Sequence, residues 1–371
     1  MRSTATCMPD SGGGTCPPTT TRGGRLASAE VVSGAPMAGT LVEGSVQVTS
    51  ASNPHVPPVC VVVSTYDRSA VLPELVAALR AQDHTDFEAV LVDNGSHDDT
   101  LDHLQRLTAD DPRFRVLRIE DNHGPGRARN VGWRSTASPL IAFTDDDCRP
   151  TPTWLTALLA AGRGADLVQG RTTRRPGAPR EGWFDRGQNI TAWTGRYETC
   201  NLLVPRAWLD RLGGFDESFP IAMGEDTDLG LRAEAAGATS AFAADALVHH
   251  HVWPNGFRDH LAQRRRRAEE VALVRVNPAA RRNLTLRLAH GPTHLAIWAA
   301  VPLTVAAVRA GRPWIPVALV AAWVAQMTYR TRDTPWGVPA RVGYNAADLA
   351  ARCYETGCYL AVSVRERTLV L

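Results

Sequence analysis

The segment that decides the fold is VCVVVSTYDRSAVLPELVAALRAQDHTDFEAVLVD, residues 59–93. It begins and ends with a β-branched apolar run of the kind found in buried strands. Between these runs, Leu75, Val76 and Leu79 form the apolar stripe of a helix. Pro73 suits the first turn of that helix, where its missing N–H leaves no bond unmade. A strand, a helix and a second strand in succession indicate a crossover unit of a parallel sheet.

The same alternation continues towards the C-terminus. The runs TLDHLQRL, FRVLRI, GRARNVGWRS and LIAF follow in order, and the last ends at Phe143. This order predicts an α/β protein with a doubly wound sheet, whose ligands collect at the carboxyl ends of the strands. The pattern then gives way to a mixed region, 150–225, rich in Arg, Gly and Trp, where we expect specificity determinants. Another helix is expected to follow Gly224.

The composition excludes several classes of function. The formal net charge is only +2, which gives no general electrostatic reason to expect a nucleic-acid partner. Every basic residue is Arg, so no mechanism that needs a lysine is available. The seven cysteines show no CxxC spacing typical of zinc sites, and we expect reduced, unpaired thiols.

The N-terminal residues 1–55 differ from the rest of the chain. They are rich in Gly, Pro, Ser and Thr and poor in large apolar residues, a composition typical of a disordered tail. They also lack the apolar stretch of a secretory signal, so we expect the catalytic part to stay in the cytoplasm. We therefore predict a tail over 1–55, a catalytic domain over 56–267 and a helical region over 268–371.

The helical region contains two apolar, uncharged segments, 293–308 and 313–329. At about 1.5 Å per residue the first would span about 24 Å, less than a hydrocarbon core of about 30 Å. The pattern therefore leaves open whether these segments cross a membrane. From residue 271 onward there are twelve Arg and four acidic residues, which suits an anionic membrane surface. A helical bundle packed on the catalytic domain is the alternative.

Three consecutive aspartates give the strongest chemical signal. Asp145, Asp146 and Asp147 come just after the apolar run LIAF and therefore lie at the carboxyl edge of the predicted sheet. Adjacent carboxylates repel one another, and Mg²⁺ or Mn²⁺ would neutralise them, since these cations prefer carboxylate and phosphate oxygens. A solvated acidic turn is the alternative, which the position after a buried strand disfavours.

A second acidic motif, Glu225 and Asp226, opens the helix that follows Gly224. Acidic residues in a first helical turn often only complement the helix dipole. Together with the three aspartates, however, they supply a candidate general base for a reaction at a metal-bound substrate.

Weaker signals follow other predicted strands. Tyr66 could cover the face of a nucleotide base, and Asp93 could accept a hydrogen bond from an imide N–H; for both, an ordinary strand-to-helix turn is the alternative. Arg129 lies in a Gly- and Arg-rich segment before a helix, where phosphate contact is plausible. In the run 249–251, three histidines cannot all point one way in an extended chain, so one or two at most enter the site.

Six motifs in order resemble those of glycosyltransferase family 2, over about residues 58–255. They are STYDR, VDNGS, NHGPGRARN, FTDDDCRP, CNLLVPRAWLDRLGGFDE and GEDTDLGLR. The resemblance implies a GT-A type fold, an α/β doubly wound mixed sheet flanked by helices. The apolar C-terminal segments of this chain also resemble those of bacterial members of the family that act on lipid-linked or cell-envelope acceptors.

The resemblance assigns a role to each candidate residue. It implies that Thr65, Tyr66 and Asp93 border the nucleotide base, that Arg129 lies near the donor, that Asp145 and Asp147 form the metal-binding Asp-x-Asp for Mg²⁺ or Mn²⁺, and that Asp226 is the general base beside Glu225. In the family a histidine after the base helix sometimes joins the metal, and here we favour His250 or His251. We also expect Asp145 and Asp146 to contact the donor.

These inferences predict a metal-dependent, inverting transfer of a sugar from a nucleotide-diphosphate sugar to a glycan or lipid-linked acceptor. We expect the enzyme at the cytoplasmic face of the cell membrane. A catalytically silent nucleotide-sugar-binding or scaffold protein at the membrane is the alternative. A dinucleotide-dependent dehydrogenase is disfavoured, because Gly124-Pro125-Gly126 lacks the third glycine and follows the third strand.

Overall fold

The computed structural model describes residues 55–177, 182–219 and 221–371. The predicted tail lies outside the described residues, apart from His55. The described chain forms an eight-stranded sheet in the order β3-β2-β1-β4-β7-β6-β8-β5. The strands are β1 Val59–Thr65, β2 Phe87–Asn94, β3 Phe114–Ile119, β4 Leu140–Thr144, β5 Cys148–Pro150, β6 Leu167–Arg174, β7 Asn201–Pro205 and β8 Ser240–His250.

The first four strands are parallel. β1 pairs with β2 on one side and with β4 on the other, and β2 pairs with β3. Thr65 pairs with Asp93 at the last position of the β1–β2 ladder, so the carboxyl ends of these strands lie side by side. The predicted alternation of strand and helix is confirmed for this half of the sheet.

The other half makes the sheet mixed, as the resemblance implied. β7 is antiparallel to both β4 and β6, and β5 is antiparallel to β8. The β5–β8 ladder pairs Cys148 with His250. This pairing brings the histidine run next to the turn that holds the three aspartates.

Helices cover both faces of the sheet. Val61 and Val63 of β1 belong to the apolar core shared with α1, α2 and α4, whereas Cys60 and Val62 belong to the core shared with α3, α5 and α6. A strand that is buried on both faces is typically a continuous apolar run, which explains VCVVV. The helices are α1 Leu72–Arg80, α2 Thr100–Thr108, α3 Pro125–Arg134, α4 Trp154–Ala161, α5 Arg206–Leu212 and α6 Glu225–Ala235.

The C-terminal part is helical, with a short 3-10 turn at Pro278–Asn283. A buried arginine of α7, Arg264, pairs with two carboxylates of the last helix, Asp348 at 2.8 Å and Glu355 at 2.6 Å. These ion pairs attach the last helix to α7, and the predicted boundary at 267 stays a prediction. The helices are α7 Phe257–Arg267, α8 Glu270–Val276, α9 Pro292–Arg309, α10 Trp314–Arg330 and α11 Val338–Glu366.

The two predicted apolar segments coincide with α9 and α10. No residue of α10 is buried, and Trp314 and Val317 are 65% and 68% exposed. Across the described ranges, no helix combines the length and the apolar character that crossing a bilayer requires.

Candidate active site

The three aspartates lie in the turn between β4 and β5, and their side chains have different surroundings. Asp145 is the most accessible, with 31% of its side chain exposed, whereas Asp147 is 8% exposed. Asp146 points inward, where the Thr65 hydroxyl donates a hydrogen bond of 2.7 Å to its Oδ2. Burial, together with the charge of Asp147, raises the pKa of Asp146 to about 7. The triplet therefore presents mainly Asp145 and Asp147 to the site, whereas Asp146 is turned towards Thr65.

His250 faces Asp147. The Nε2 atom of His250 is 3.3 Å from Oδ1 of Asp147, and both side chains are buried. The other ring nitrogen, Nδ1, lies 2.8 Å from the carbonyl oxygen of His251. A carbonyl only accepts, so Nδ1 carries a proton, and in the neutral ring Nε2 then presents a lone pair to a carboxylate. The lone pair of Nε2 and the carboxylate oxygen repel each other at 3.3 Å unless a cation or a proton lies between them.

The ligand atoms of Asp145, Asp147, Cys148 and His250 all lie within 4.8 Å of one another. Burial raises the pKa of the Cys148 thiol well above its usual value, which keeps it protonated. The remaining two carboxylates and one imidazole fit a divalent cation with substrate oxygens. Within the described residues, His251 is not in this group; its Nδ1 lies 3.5 Å from an Arg149 nitrogen instead.

Arg129 connects the two acidic motifs. Its guanidinium is buried, and it lies 3.2 Å from Asp145 Oδ1 and 2.7 Å from Glu225 Oε1. The charge of Asp226 also favours the protonated form of Arg129 and so contributes to raising the pKa of its guanidinium. The start of α6 and the β4–β5 turn therefore lie at the same edge of the sheet, as the sequence-based prediction required.

Asp226 is partly exposed, unlike its neighbour Glu225, which is 2% exposed. The Thr227 backbone N–H donates to Asp226 Oδ1 at 2.7 Å. Partial burial of its carboxyl group raises the pKa of Asp226 well above its usual value, and the charges of Glu225 and Glu198 raise it further. A carboxylate with a raised pKa in an accessible position is suited to take a proton from a hydroxyl.

The predicted base-binding residues lie at the ends of β1 and β2. The Tyr66 hydroxyl is 3.2 Å from Nδ1 of His97, and the two rings pack edge to face. Asp93 is fully buried; Arg118 donates to it at 2.5 Å, and the Ser96 N–H at 3.2 Å. The structure brings Tyr66 and Asp93 to one edge, while their contact with a nucleotide stays a prediction.

Sequence reasoning missed two residues at this site. Arg68 lies 3.9 Å from Asp146, and Trp253 donates its indole N–H to Asp147 Oδ2 at 2.8 Å. Arg68 ends the motif STYDR, and Trp253 is two residues after the histidine run. The position of Arg68 and Trp253 beside these motifs could have suggested a role for them. The spacing along the sequence did not show where either side chain points.

Comparison with known proteins gives two overlapping family matches. The sequence model described as "Glycosyl transferase family 2" matches residues 60–215. That described as "Glycosyl transferase family group 2" matches residues 140–329, about half of the chain. Together they cover both acidic motifs and the histidine run.

Two relatives have similar sequences. Validoxylamine A glucosyltransferase of Streptomyces hygroscopicus subsp. jinggangensis is 33% identical over 227 residues, which are 49% of this chain and 53% of that enzyme. The succinoglycan biosynthesis protein ExoM of Rhizobium meliloti is 31% identical over 208 residues, 52% of this chain and 66% of that protein. The chain thus spans about half the length of the first relative.

A solved structure shares the fold. The mannosyltransferase PcManGT from Pyrobaculum calidifontis, solved with GDP-Man and Mn²⁺, superposes with a TM-score of 0.56 at 20% identity. The match covers 84% of this chain and 90% of that one. The predicted GT-A type arrangement of a mixed sheet flanked by helices is confirmed.

Proposed function

Because the chain belongs to glycosyltransferase family 2, we propose that it transfers a sugar from a nucleotide-diphosphate sugar to an acceptor hydroxyl. The observation that carries this proposal is the contact of Arg129 with both Asp145 and Glu225. It holds the cation-binding carboxylates and the candidate base at one edge of the sheet, where ligands of such folds bind. Donor and acceptor can therefore meet between them.

We infer an inverting reaction with Asp226 as the general base. Its raised pKa lets the carboxylate accept the proton that the acceptor hydroxyl loses as it attacks the sugar. Asp145, Asp147 and His250 would hold Mg²⁺ or Mn²⁺, which when bound supplies positive charge for the departing diphosphate. Glu225 is paired with Arg129 and so positions the start of α6.

The donor is proposed to lie along the ends of β1 and β2. Asp93 is fixed by Arg118, and Tyr66 stands beside His97, so both side chains are held before a ligand arrives. Such preorganisation reduces the entropy lost on binding. The side chains of Thr65 and Asp146 bond to each other and would shape the floor of this site.

The acceptor is proposed to be a lipid-linked or cell-envelope glycan, at the cytoplasmic face of the membrane. This part of the proposal is supported by the exposed apolar residues of α10 and by the arginine excess after residue 271. A relative described as a succinoglycan biosynthesis protein is compatible with a glycan acceptor.

The test is a screen of nucleotide sugars with Mn²⁺, in which slow hydrolysis reveals the donor without an acceptor. With that donor, Asp226→Asn should keep donor affinity but lose turnover, whereas Asp147→Ala should lose metal-dependent donor affinity. Asp102→Asn, an exposed substitution on α2, is the matched control and should change neither. Normal turnover in Asp226→Asn would refute the base assignment, and donor binding without any turnover in the unsubstituted protein would favour a silent binding protein.

A further inference from the structure

Trp253 contacts Asp147, one of the proposed metal-binding residues, which together with Asp145 and His250 we call the metal-binding group. Its indole Nε1–H donates a hydrogen bond of 2.8 Å to Oδ2 of Asp147. The other oxygen of that carboxylate, Oδ1, is the one that faces His250 at 3.3 Å. One oxygen is therefore used to orient the carboxylate, and the other is presented to the site.

The indole is itself held on several sides. The guanidinium of Arg68 lies over its ring, 4.4 Å from the centroid, and the His251 ring packs at 4.5 Å. The Trp253 backbone exchanges two hydrogen bonds with Arg186, of 2.8 and 2.9 Å. A side chain restrained by a cation–π contact and a backbone pair has little freedom to leave its partner.

We propose that Trp253 is a positioning residue for the divalent cation, because its indole N–H fixes the Asp147 carboxylate with Oδ1 directed at the cation position. This inference rests on the proposed function, since it requires that Asp147 binds a metal. Hydrogen-bond partners that orient a ligand commonly change metal affinity by roughly tenfold or more when they are removed. The cation–π contact with Arg68 also ties the β1–α1 loop to this position.

The test compares Mn²⁺ affinity in two matched variants, without donor or acceptor. Trp253→Phe removes the N–H but keeps an aromatic ring beneath Arg68. Trp208→Phe removes a similar indole N–H, which donates to Asp166 at 3.0 Å outside the metal-binding group. We expect Trp253→Phe to bind Mn²⁺ about tenfold more weakly, measured by the electron paramagnetic resonance signal of the free ion, and Trp208→Phe to bind normally.

A second measurement does not depend on how the variant folds. In the unsubstituted protein, Mn²⁺ should broaden the NMR resonance of the Trp253 indole N–H, because that proton lies close to the cation position. Mg²⁺ should shift the same resonance, because the proton is hydrogen-bonded to a ligand carboxylate. If Trp253→Phe binds Mn²⁺ as tightly as the unsubstituted protein, or if the indole resonances respond to neither ion, the positioning role of Trp253 is refuted while the metal site itself stands. Absence of Mn²⁺ binding by the unsubstituted protein would refute the metal site and this inference together.

Discussion

Arg129 and Glu225 are 96 residues apart in the sequence, yet the buried guanidinium donates a hydrogen bond of 2.7 Å to the buried carboxylate. Glu225 has no other side-chain hydrogen bond among the described residues, and its Oε2 is buried without a partner. Arg129 is therefore the main compensation for burying this charge.

Replacing Arg129 with Met should destabilise the protein by about 3–5 kcal/mol, because an unpaired carboxylate would stay buried. Adding Glu225→Gln should recover part of that loss, which urea unfolding of the single and double variants would measure. Arg365→Met, which breaks an exposed pair with Glu269, should cost only about 0–1 kcal/mol. Additive losses in Arg129→Met and Glu225→Gln would show that the two residues are not coupled.

The pH dependence of turnover should report Asp226. Burial, Glu225 and Glu198 raise its pKa, so the base is protonated, and turnover is lost, as pH falls through that raised value. Glu198→Gln removes one of these charges and should lower the pKa of Asp226. We expect the acidic limb of the kcat profile to move to lower pH in this variant. An unchanged limb would mean that another group limits turnover.

Gly230 should tolerate no side chain. A Cβ atom there would lie 2.0 Å from the ring of Tyr197, which is fully buried against α6. Gly230→Ala should therefore destabilise the protein by about 1–3 kcal/mol. Gly357, inside α11, has open space at its Cβ, so Gly357→Ala should stabilise by about 0.5–1 kcal/mol. Thermal unfolding of both variants would test the contrast, and equal effects would contradict it.

Membrane binding should depend on the exposed face of α10. Val317 and Val320 are 68% and 50% exposed, so replacing both with Asp should leave folding intact while removing apolar surface from contact with lipid. We expect the double variant to lose sedimentation with anionic vesicles. Val56→Asp, at a valine that is 50% exposed near the start of the described chain, should still sediment. An unsubstituted protein that does not sediment would end the membrane proposal.

Local sequence determined much of this protein. The run VCVVV predicts a strand because it is a continuous β-branched apolar run, and the strand is buried on both faces of the sheet. The helices between the strands are predicted by their apolar stripes. The three aspartates were placed at a sheet edge because they follow a buried strand. The two apolar C-terminal segments overlap α9 and α10.

Only the tertiary structure decided which side chains meet. The antiparallel β5–β8 ladder pairs Cys148 with His250, and this register, set by packing between segments a hundred residues apart, selects the histidine that faces Asp147. The same packing turns Asp146 towards Thr65 and brings Trp253 behind Asp147. Residue type and local periodicity predict an element and its buried face, but the direction of a side chain in a turn depends on neighbours that are distant in sequence.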